Sequence, residues 1–374
     1  MNVRLANVKT WLAEPMSKEV ARAIERLATS ADVRHVAVMP DVHLARDVCV
    51  GTAVATSELI YPAAVGTDIG CGIAAVGFDA SSDVIDQRVA SELLERLRGS
   101  VPVHRRAERS LPKELMDALL SDPKLERIRA RDGSVQFGTL GRGNHFLEFQ
   151  LDDEGRLWLM VHSGSRAMGQ AIRDLHEGKA SGEGSALKSL RAISAEGAAY
   201  INDMEWARTY ARASRMAMIE AAAHVLGQLA GAQLDRSSYF DCDHNHVRLE
   251  AHFGSELWVH RKGAMSADEG EVGSIPGSMG TRSFHVSGRG EALSLRSSSH
   301  GAGRAMSRDE ARRRVRSFEF RRKMEGIYFD LRLSEALREE SPQAYKDVSK
   351  VLRAEAGLTR IVRRLKPIVV YKGA

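Results

Sequence analysis

Histidines, one cysteine and a few acidic residues stand beside glycine-rich stretches, and their types suit metal and phosphoryl chemistry. In residues 62–72, PAAVGTDIGCG, Asp68 and Cys71 lie three positions apart in a turn rich in glycine. Glycine lets a backbone fold tightly enough for both side chains to face one ion. A tight turn around an inert buried cysteine fits the same residues. In residues 141–148, GRGNHFLE, a glycine-rich loop delivers Asn144 and His145 to an apolar run. His162 ends another such run in VHSGSR (161–166), and His244 lies in DHNH (243–246). A lone histidine beside a strand is usually a hydrogen-bonded structural residue. Three of them, joined by Asp68 and Cys71, form a mixed oxygen, sulfur and nitrogen set that suits one or two divalent ions. A thiolate can bridge two metals. Ligand softness by itself favours zinc over manganese, although the spacing matches no zinc-finger pattern.

A second kind of chemistry is written in SSSHGAGR (297–304). A helix is expected to start at Ala302, and backbone N–H groups at a glycine-flanked helix start attract anions. Arg304 adds a planar fork for phosphate oxygens. His300 sits where a phosphorus atom would lie, as a nucleophile or an acid/base. An ordinary helix cap with a surface histidine fits equally. Residues 259–281, VHRKGAMSADEGEVGSIPGSMGT, have a basic start and many Gly and Ser, as a phosphate cradle has.

The elements that must position these residues are partly periodic. Residues 18–27 have helical spacing, with Val20, Ile24 and Leu27 on one face. Runs at 35–39, 48–55 and 72–78 suggest strands, and 84–97 and 112–120 suggest helices. Strands at 146–151 and 157–161 flank a polar turn at 152–155. Residues 195–230 are rich in Ala, Met, Glu and Arg and predict one long helix after a glycine-rich loop at 178–184. Short strands are expected between 239 and 260, a loop-dominated stretch over 263–299, one basic helix over 302–325, and a last strand at 368–371. There is no internal repeat and no clear linker, which suggests one α+β domain whose site is assembled from distant loops.

Composition narrows the class. The 374 residues can bury a sizeable core. The excess of 54 Lys and Arg over 49 Asp and Glu gives +5, compatible with a polyanionic partner without requiring one. Three cysteines, Cys49, Cys71 and Cys242, argue against a disulfide framework and for a reducing compartment. The N-terminal residues lack the apolar core of a signal peptide, and no apolar run approaches the about 20 residues that span a bilayer. A cytoplasmic protein is expected.

Taken in order, the segments resemble the RtcB family of RNA ligases: MPDVH (39–43), VGTDIGCG, GTLGRGNHFLE, VHSGSR, the pair His244 and Asn245, HRKGA, IPGSMGT, SHGAGRAMSR and the terminal YKG. They are collinear from residue 39 to residue 373. The resemblance implies a single α+β domain over 1–374, with central β-sheets flanked by helices and an active site built from loops at strand ends. It implies a GTP-dependent reaction with two manganese ions that joins an RNA 3′-phosphate or 2′,3′-cyclic phosphate to a 5′-hydroxyl. A histidine takes GMP from GTP, GMP passes to the RNA 3′-phosphate as an RNA(3′)pp(5′)G end, and the 5′-hydroxyl displaces it. A cyclic end is hydrolysed first. By position, His300 matches the guanylylated histidine and Cys71 the thiolate shared by both metals. Asp68 and His145 match ligands of one metal, His162 and His244 of the other. Asn144 matches a phosphate contact, and Glu148 and Lys372 match contacts to the guanine edge. Ser278, Ala302 and Arg304 fall in nucleotide-binding segments, and Asp41 in an acidic position near the reacting phosphates. A monomer without membrane attachment is expected, and the need for an activating protein stays open.

Two departures stand out. After MPDVH the family usually has Gly-Lys-Gly, and here Ala45, Arg46 and Asp47 follow. His244 also has an acidic neighbour and a second histidine, Asp243 and His246. Both suggest a divergent branch, for repair of cleaved RNA instead of tRNA splicing. The competing readings are a two-metal phosphodiesterase or phosphatase that needs no nucleotide, and a non-catalytic RNA-binding protein.

Overall fold

The computed structural model describes residues 6–107, 111–182 and 187–373, without the side chain of Ser82. Two positions of the loop expected at 178–184, and the first five of the N-terminal segment read as leaderless, lie outside them. Among the described residues an eight-stranded sheet runs in the order Val272–Ile275, Ser283–Gly288, Thr359–Tyr371, Phe146–Asp152, Arg156–Ser163, Gly72–Ser81, Leu234–Asp243, with Tyr328–Phe329 beside Thr359–Tyr371. A five-stranded sheet runs Asn7–Thr10, Val33–His43, Val50–Thr56, Ser255–Lys262, Asn245–His252. The chain passes from the first sheet to the second through His244. This is the expected α+β architecture.

Alternation explains which way the larger sheet faces, because successive strand residues point to opposite sides. Leu147, Phe149, Leu157, Leu159 and Val161 pack with Val89, Leu93 and Leu97 of helix Gln87–Ser100 and with Met218, Ala222 and Leu226 of helix Ala195–Ala230. Their neighbours Glu148, Gln150, Met160 and His162 are buried too, on the opposite face. The long helix has 36 residues, capped by Ser194 and ended by Gly231 at φ 73°, and is about 54 Å long. Among the described residues no helix is long and apolar enough to cross a membrane.

Three expectations change. Residues 302–325 are not one helix. Residues Ala305 and Met306 give their N–H groups to the Ala344 carbonyl, so no helix starts until Ser307 caps helix Arg308–Arg314. Val315 is extended and buried against Ala311, Phe320 and Met324, which separates a second helix, Ser317–Lys323. Here burial of one residue outweighs helical composition. Of the arginines in the first helix, Arg312 pairs with Glu339 and Arg314 with Glu310. The stretch 263–299 holds the strands Ala264–Ser266, Val272–Ile275, Ser283–Gly288 and Ser297–Ser299. Its small residues suit close backbone pairing, which glycine-rich composition conceals. The helix expected over 112–120 is confined to Lys113–Asp117, where Ala118 turns extended.

One buried cation ties the elements around the site together. Arg215 of the long helix is 1% exposed. Its Nε and Nη2 donate to the two oxygens of Asp241 at 2.7 Å. Its Nη1 donates at 2.8 Å to the carbonyls of Gly70 and Ser163. Arg215→Met leaves the Asp241 carboxylate buried without its partner, so urea unfolding should show a loss of about 3–5 kcal/mol; a loss under about 1 kcal/mol would show that the pair is dispensable.

Candidate active site

Four neighbouring strands of the larger sheet converge at one end. Antiparallel neighbours place the start of one strand beside the end of the next. Cys71 precedes Gly72–Ser81, His145 precedes Phe146–Asp152, His162 lies near the end of Arg156–Ser163, and His244 follows Leu234–Asp243. The register sets Phe146 and Ile73 opposite His162, and Gly72 opposite Asp243. Asp68 joins through a turn closed by the Cys71 N–H on the Asp68 carbonyl at 3.0 Å. Gly70 in that turn has φ +69°, and a Cβ there would lie 2.8 Å from the Cα of Arg208. Asn245 braces the turn: its amide donates to the Asp68 carbonyl and its oxygen accepts from Gly263 N–H, each at 2.9 Å.

The five residues expected as metal ligands therefore meet, in two groups that share Cys71: Asp68, Cys71 and His145, and Cys71, His162 and His244. The Cys71 Sγ is 3.3 Å from His162 Nε2 and 3.6 Å from His145 Nε2. His145 Nε2 is 2.9 Å from Asp68 Oδ2, and His162 Nε2 is 3.4 Å from His244 Nε2. The Nδ1 atoms of His145 and His162 face the carbonyls of Leu140 and Asn144 at 3.1 Å. The contact at His162 assigns its proton to Nδ1 and leaves a lone pair on Nε2, and an ion held between His145 Nε2 and Asp68 would set the same tautomer at His145. Burial holds His162 and His244 well below the usual histidine range, so both are neutral, as ligands must be. Burial also pushes the Cys71 thiol well up, and a cation is what would hold it as a thiolate. Asp68 Oδ1 is buried with no partner. Facing lone pairs and an orphaned carboxylate oxygen fit divalent ions. The second histidine of DHNH stands apart: His246 Nδ1 faces Asp243 at 3.1 Å, and Asp243 binds Arg208.

His300 lies beside this cluster, its ring centroid 4.6 Å from that of His244. Its Nδ1 is 2.7 Å from Oδ2 of the fully buried Asp41, and its backbone N–H donates to the same oxygen at 3.2 Å. Nδ1 thus carries the proton, which leaves the ring's lone pair on Nε2. Gly303 permits the close packing here: at φ +73°, its Cβ would sit 2.3 Å from the Asp41 carbonyl oxygen. Lys346 straps the Asp41 segment by donating to the carbonyls of Pro40 and Val42 at 3.1 and 2.6 Å.

Two cavities flank His300 and share His43 and Asn144. One, of about 220 Å³, is lined by Phe146, Glu148, Ser278, Ala302, Arg304 and Lys372. The other, of about 360 Å³, is lined by Arg46, Asp47, Asp68, Arg173 and Lys262. All the residues expected to bind nucleotide thus border the first. The helix-start anion site does not form, since Ala302 N–H binds the Pro276 carbonyl and the helix begins six residues later. Nor does Arg304 present an open fork. It donates to the carbonyls of Met306 and Glu339, the Glu340 carboxylate and the Tyr345 hydroxyl. Burial pushes Glu148 up to about 8, against the pull of Gln150 and Lys372. Lys372 is fixed: strand Thr359–Tyr371 pairs with Phe146–Asp152, setting Val370 opposite Glu148, and Gly373 bridges to Arg142.

Sequence reasoning passed over His43, Lys262, Glu340 and Tyr345. The first two lie inside quoted motifs, MPDVH and HRKGA. Glu340 and Tyr345 come from the irregular segments Ala336–Glu340 and Pro342–Ala344 and the residue after them, where no local signal marks them.

Comparison with known proteins agrees with this geometry. The family model described as tRNA-splicing ligase RtcB matches residues 23–127 and 113–373. The RNA-splicing ligase RtcB of Escherichia coli K12 is 34% identical over 98% of both chains. The protein of the same name from Mycobacterium tuberculosis H37Rv is 30% identical over 91% of this chain and 97% of its own. The tRNA-splicing ligase RtcB of Pyrococcus horikoshii is 33% identical over 68% of this chain and 35% of its own. With a family match across most of its length and relatives of this similarity, the chain belongs to the RtcB family of tRNA-splicing ligases.

Proposed function

We propose that this protein is a GTP-dependent RNA ligase that joins RNA 3′-phosphate or 2′,3′-cyclic phosphate ends to 5′-hydroxyl ends. The observation that carries the reading is His300. Its Nδ1 is locked by Asp41, and it stands between a cavity of nucleotide chemistry and a ligand set for two ions. In the first step Nε2 bonds to the α-phosphorus of GTP as the bond to the pyrophosphate oxygen breaks. The GMP then passes to a terminal 3′-phosphate oxygen, breaking the bond to His300. A terminal phosphate has no good leaving group, and GMP supplies one when the 5′-hydroxyl attacks. Two manganese ions held by Asp68, Cys71, His145, His162 and His244 would offset the charge that builds on phosphoryl oxygens. Asn144 borders both cavities and is suited to donate to a phosphate shared between them. Glu148 accepts from guanine N1–H and N2–H, and Lys372 donates to O6 or N7.

The second cavity receives the RNA end in this reading. Asp47, one of the residues that replace Gly-Lys-Gly, binds Arg173 at 3.1 Å on its wall. The departure therefore falls where RNA ends would be chosen, consistent with repair of cleaved RNA. The reading takes residues 1–374 as one catalytic domain acting as a cytoplasmic monomer. A phosphatase or phosphodiesterase would leave Glu148 and Lys372 on the cavity wall without a use, and a passive RNA binder would leave the ligand set without one.

Incubation with manganese and α-labelled GTP should leave GMP on His300, detectable by mass spectrometry. His300→Ala should cut the adduct to below about 1% of wild type while metal content stays the same. With GTP, a 3′-phosphate and a 5′-hydroxyl should be joined and a 3′-hydroxyl and a 5′-phosphate should not; the reverse pattern would place the protein in another ligase class. Cys71→Ala should lose metal by elemental analysis and with it both adduct formation and ligation. Full metal content and activity in that variant would reduce Cys71 to a packing residue. Because the Glu148 carboxyl is pushed up to about 8, its ionised, accepting form grows as pH rises through that value. Preference for GTP over ATP should therefore increase between about pH 6.5 and pH 8.5, by at most about tenfold per unit. Glu148→Gln should flatten this rise; a pH-independent wild-type preference would exclude Glu148 as the base reader.

A further inference from the structure

Glu340 is 2% exposed and lies at the wall of the smaller cavity, among three cations. Its Oε2 accepts from Lys372 Nζ at 3.0 Å and from the Tyr345 hydroxyl at 2.6 Å. Its Oε1 accepts from Arg304 Nη1 at 3.1 Å and lies 3.8 Å from Arg308 Nε. With both oxygens occupied by protein donors, this carboxylate is poorly placed to read a base. It is a counter-ion. Although burial opposes ionisation, Lys372, Tyr345 and Arg304 hold the Glu340 carboxyl below its usual range.

The consequence falls on Lys372, which is itself buried at 6% exposure. An ammonium carries three donor hydrogens and no acceptor. Glu340 takes one, and among the described residues no other hydrogen-bond acceptor engages Lys372. The remaining hydrogens are left for a ligand in the cavity. Without that acceptor, no hydrogen bond from the described residues holds the ammonium at its place in the cavity wall. A donor that can swing aside no longer opposes the amino group of adenine.

We propose that Glu340 is a specificity-determining positioning residue: by pairing with Lys372 it keeps that side chain a fixed, donor-only reader of the purine, which admits guanine and rejects adenine. The inference rests on the GTP-dependent reading above and adds to it a residue that no motif marks.

Glu340→Gln keeps the shape of the side chain and removes its charge. In adduct formation it should raise the KM for GTP about tenfold and lower the GTP-over-ATP ratio of kcat/KM about tenfold, with kcat for GTP within about twofold of wild type. In a Lys372→Met background the same substitution should change the ratio by less than about twofold, because Glu340 acts through Lys372. A thermal melt checks folding. Should Glu340→Gln fail to fold, Glu340→Asp, which draws the charge back by one methylene, should lower the ratio in the same direction. A wild-type ratio in a folded Gln or Asp variant overturns the proposal while wild-type adduct formation leaves the ligase reading standing. An equal drop in the Lys372→Met background overturns it too. Absence of any GMP adduct on the wild-type protein would instead remove the ligase reading itself, and this inference with it.

Discussion

The site depends on a guanidinium that never meets its substrates. Arg215 reaches from the middle of the long helix and binds the Asp241 carboxylate together with the carbonyls of Gly70 and Ser163. Gly70 is the residue before Cys71, Ser163 is the residue after His162, and Asp241 lies in the strand that leads to His244. One side chain therefore fixes the spacing of three strand ends from which the ligands project. A charge is an unusual choice for this place, since burying it costs several kcal/mol unless it is paired. Here it is paired and its hydrogens are largely satisfied, and the directionality of its donors sets positions that apolar packing alone would leave looser.

The same order extends outward from the ligands. The larger sheet gives its apolar face to the long helix and its polar face to the smaller cavity. The smaller sheet supplies Asp41 and Lys262 from its own strand ends. His244, between strand Leu234–Asp243 of one and strand Asn245–His252 of the other, is where the two meet. Imidazole nitrogens that face one another and a buried carboxylate oxygen without a partner are costly to bury. They persist because the surrounding backbone over-determines them, and a divalent ion bound there would relieve them together.

Much of the site was legible in the sequence because its chemistry is carried by short, glycine-flanked motifs. Asp68, Cys71, His145, His162 and His244 could be named as one ligand set from residue types, and the structure brings all five together. The hairpin of 146–161 and the long helix of 195–230 were legible from periodicity. The basic stretch of 302–325 was not, because its interruption comes from burial of Val315 and from the carbonyl of Ala344, both tertiary facts. The strands within 263–299 were hidden for a similar reason: serine and glycine have low strand propensity, and the pairing that fixes these strands, up to that of Ser283–Gly288 with the distant Thr359–Tyr371, is tertiary. Glu340 and Tyr345 sit in segments whose irregular turns carry no pattern at all, and only the assembled cavity reveals their use.

The contact between Asp41 and His300 joins residues 259 positions apart. Closing a flexible loop of that length costs about 5 kcal/mol in chain entropy, more than one hydrogen bond returns. The contact cannot form ahead of the two sheets that carry it. The protonation pattern of His300 is thus a late product of folding, and an incompletely folded chain leaves both ring nitrogens exchanging protons with water. The orientation of the His300 ring then reports that the whole architecture has closed, so the same contact that sets its tautomer also marks completed assembly.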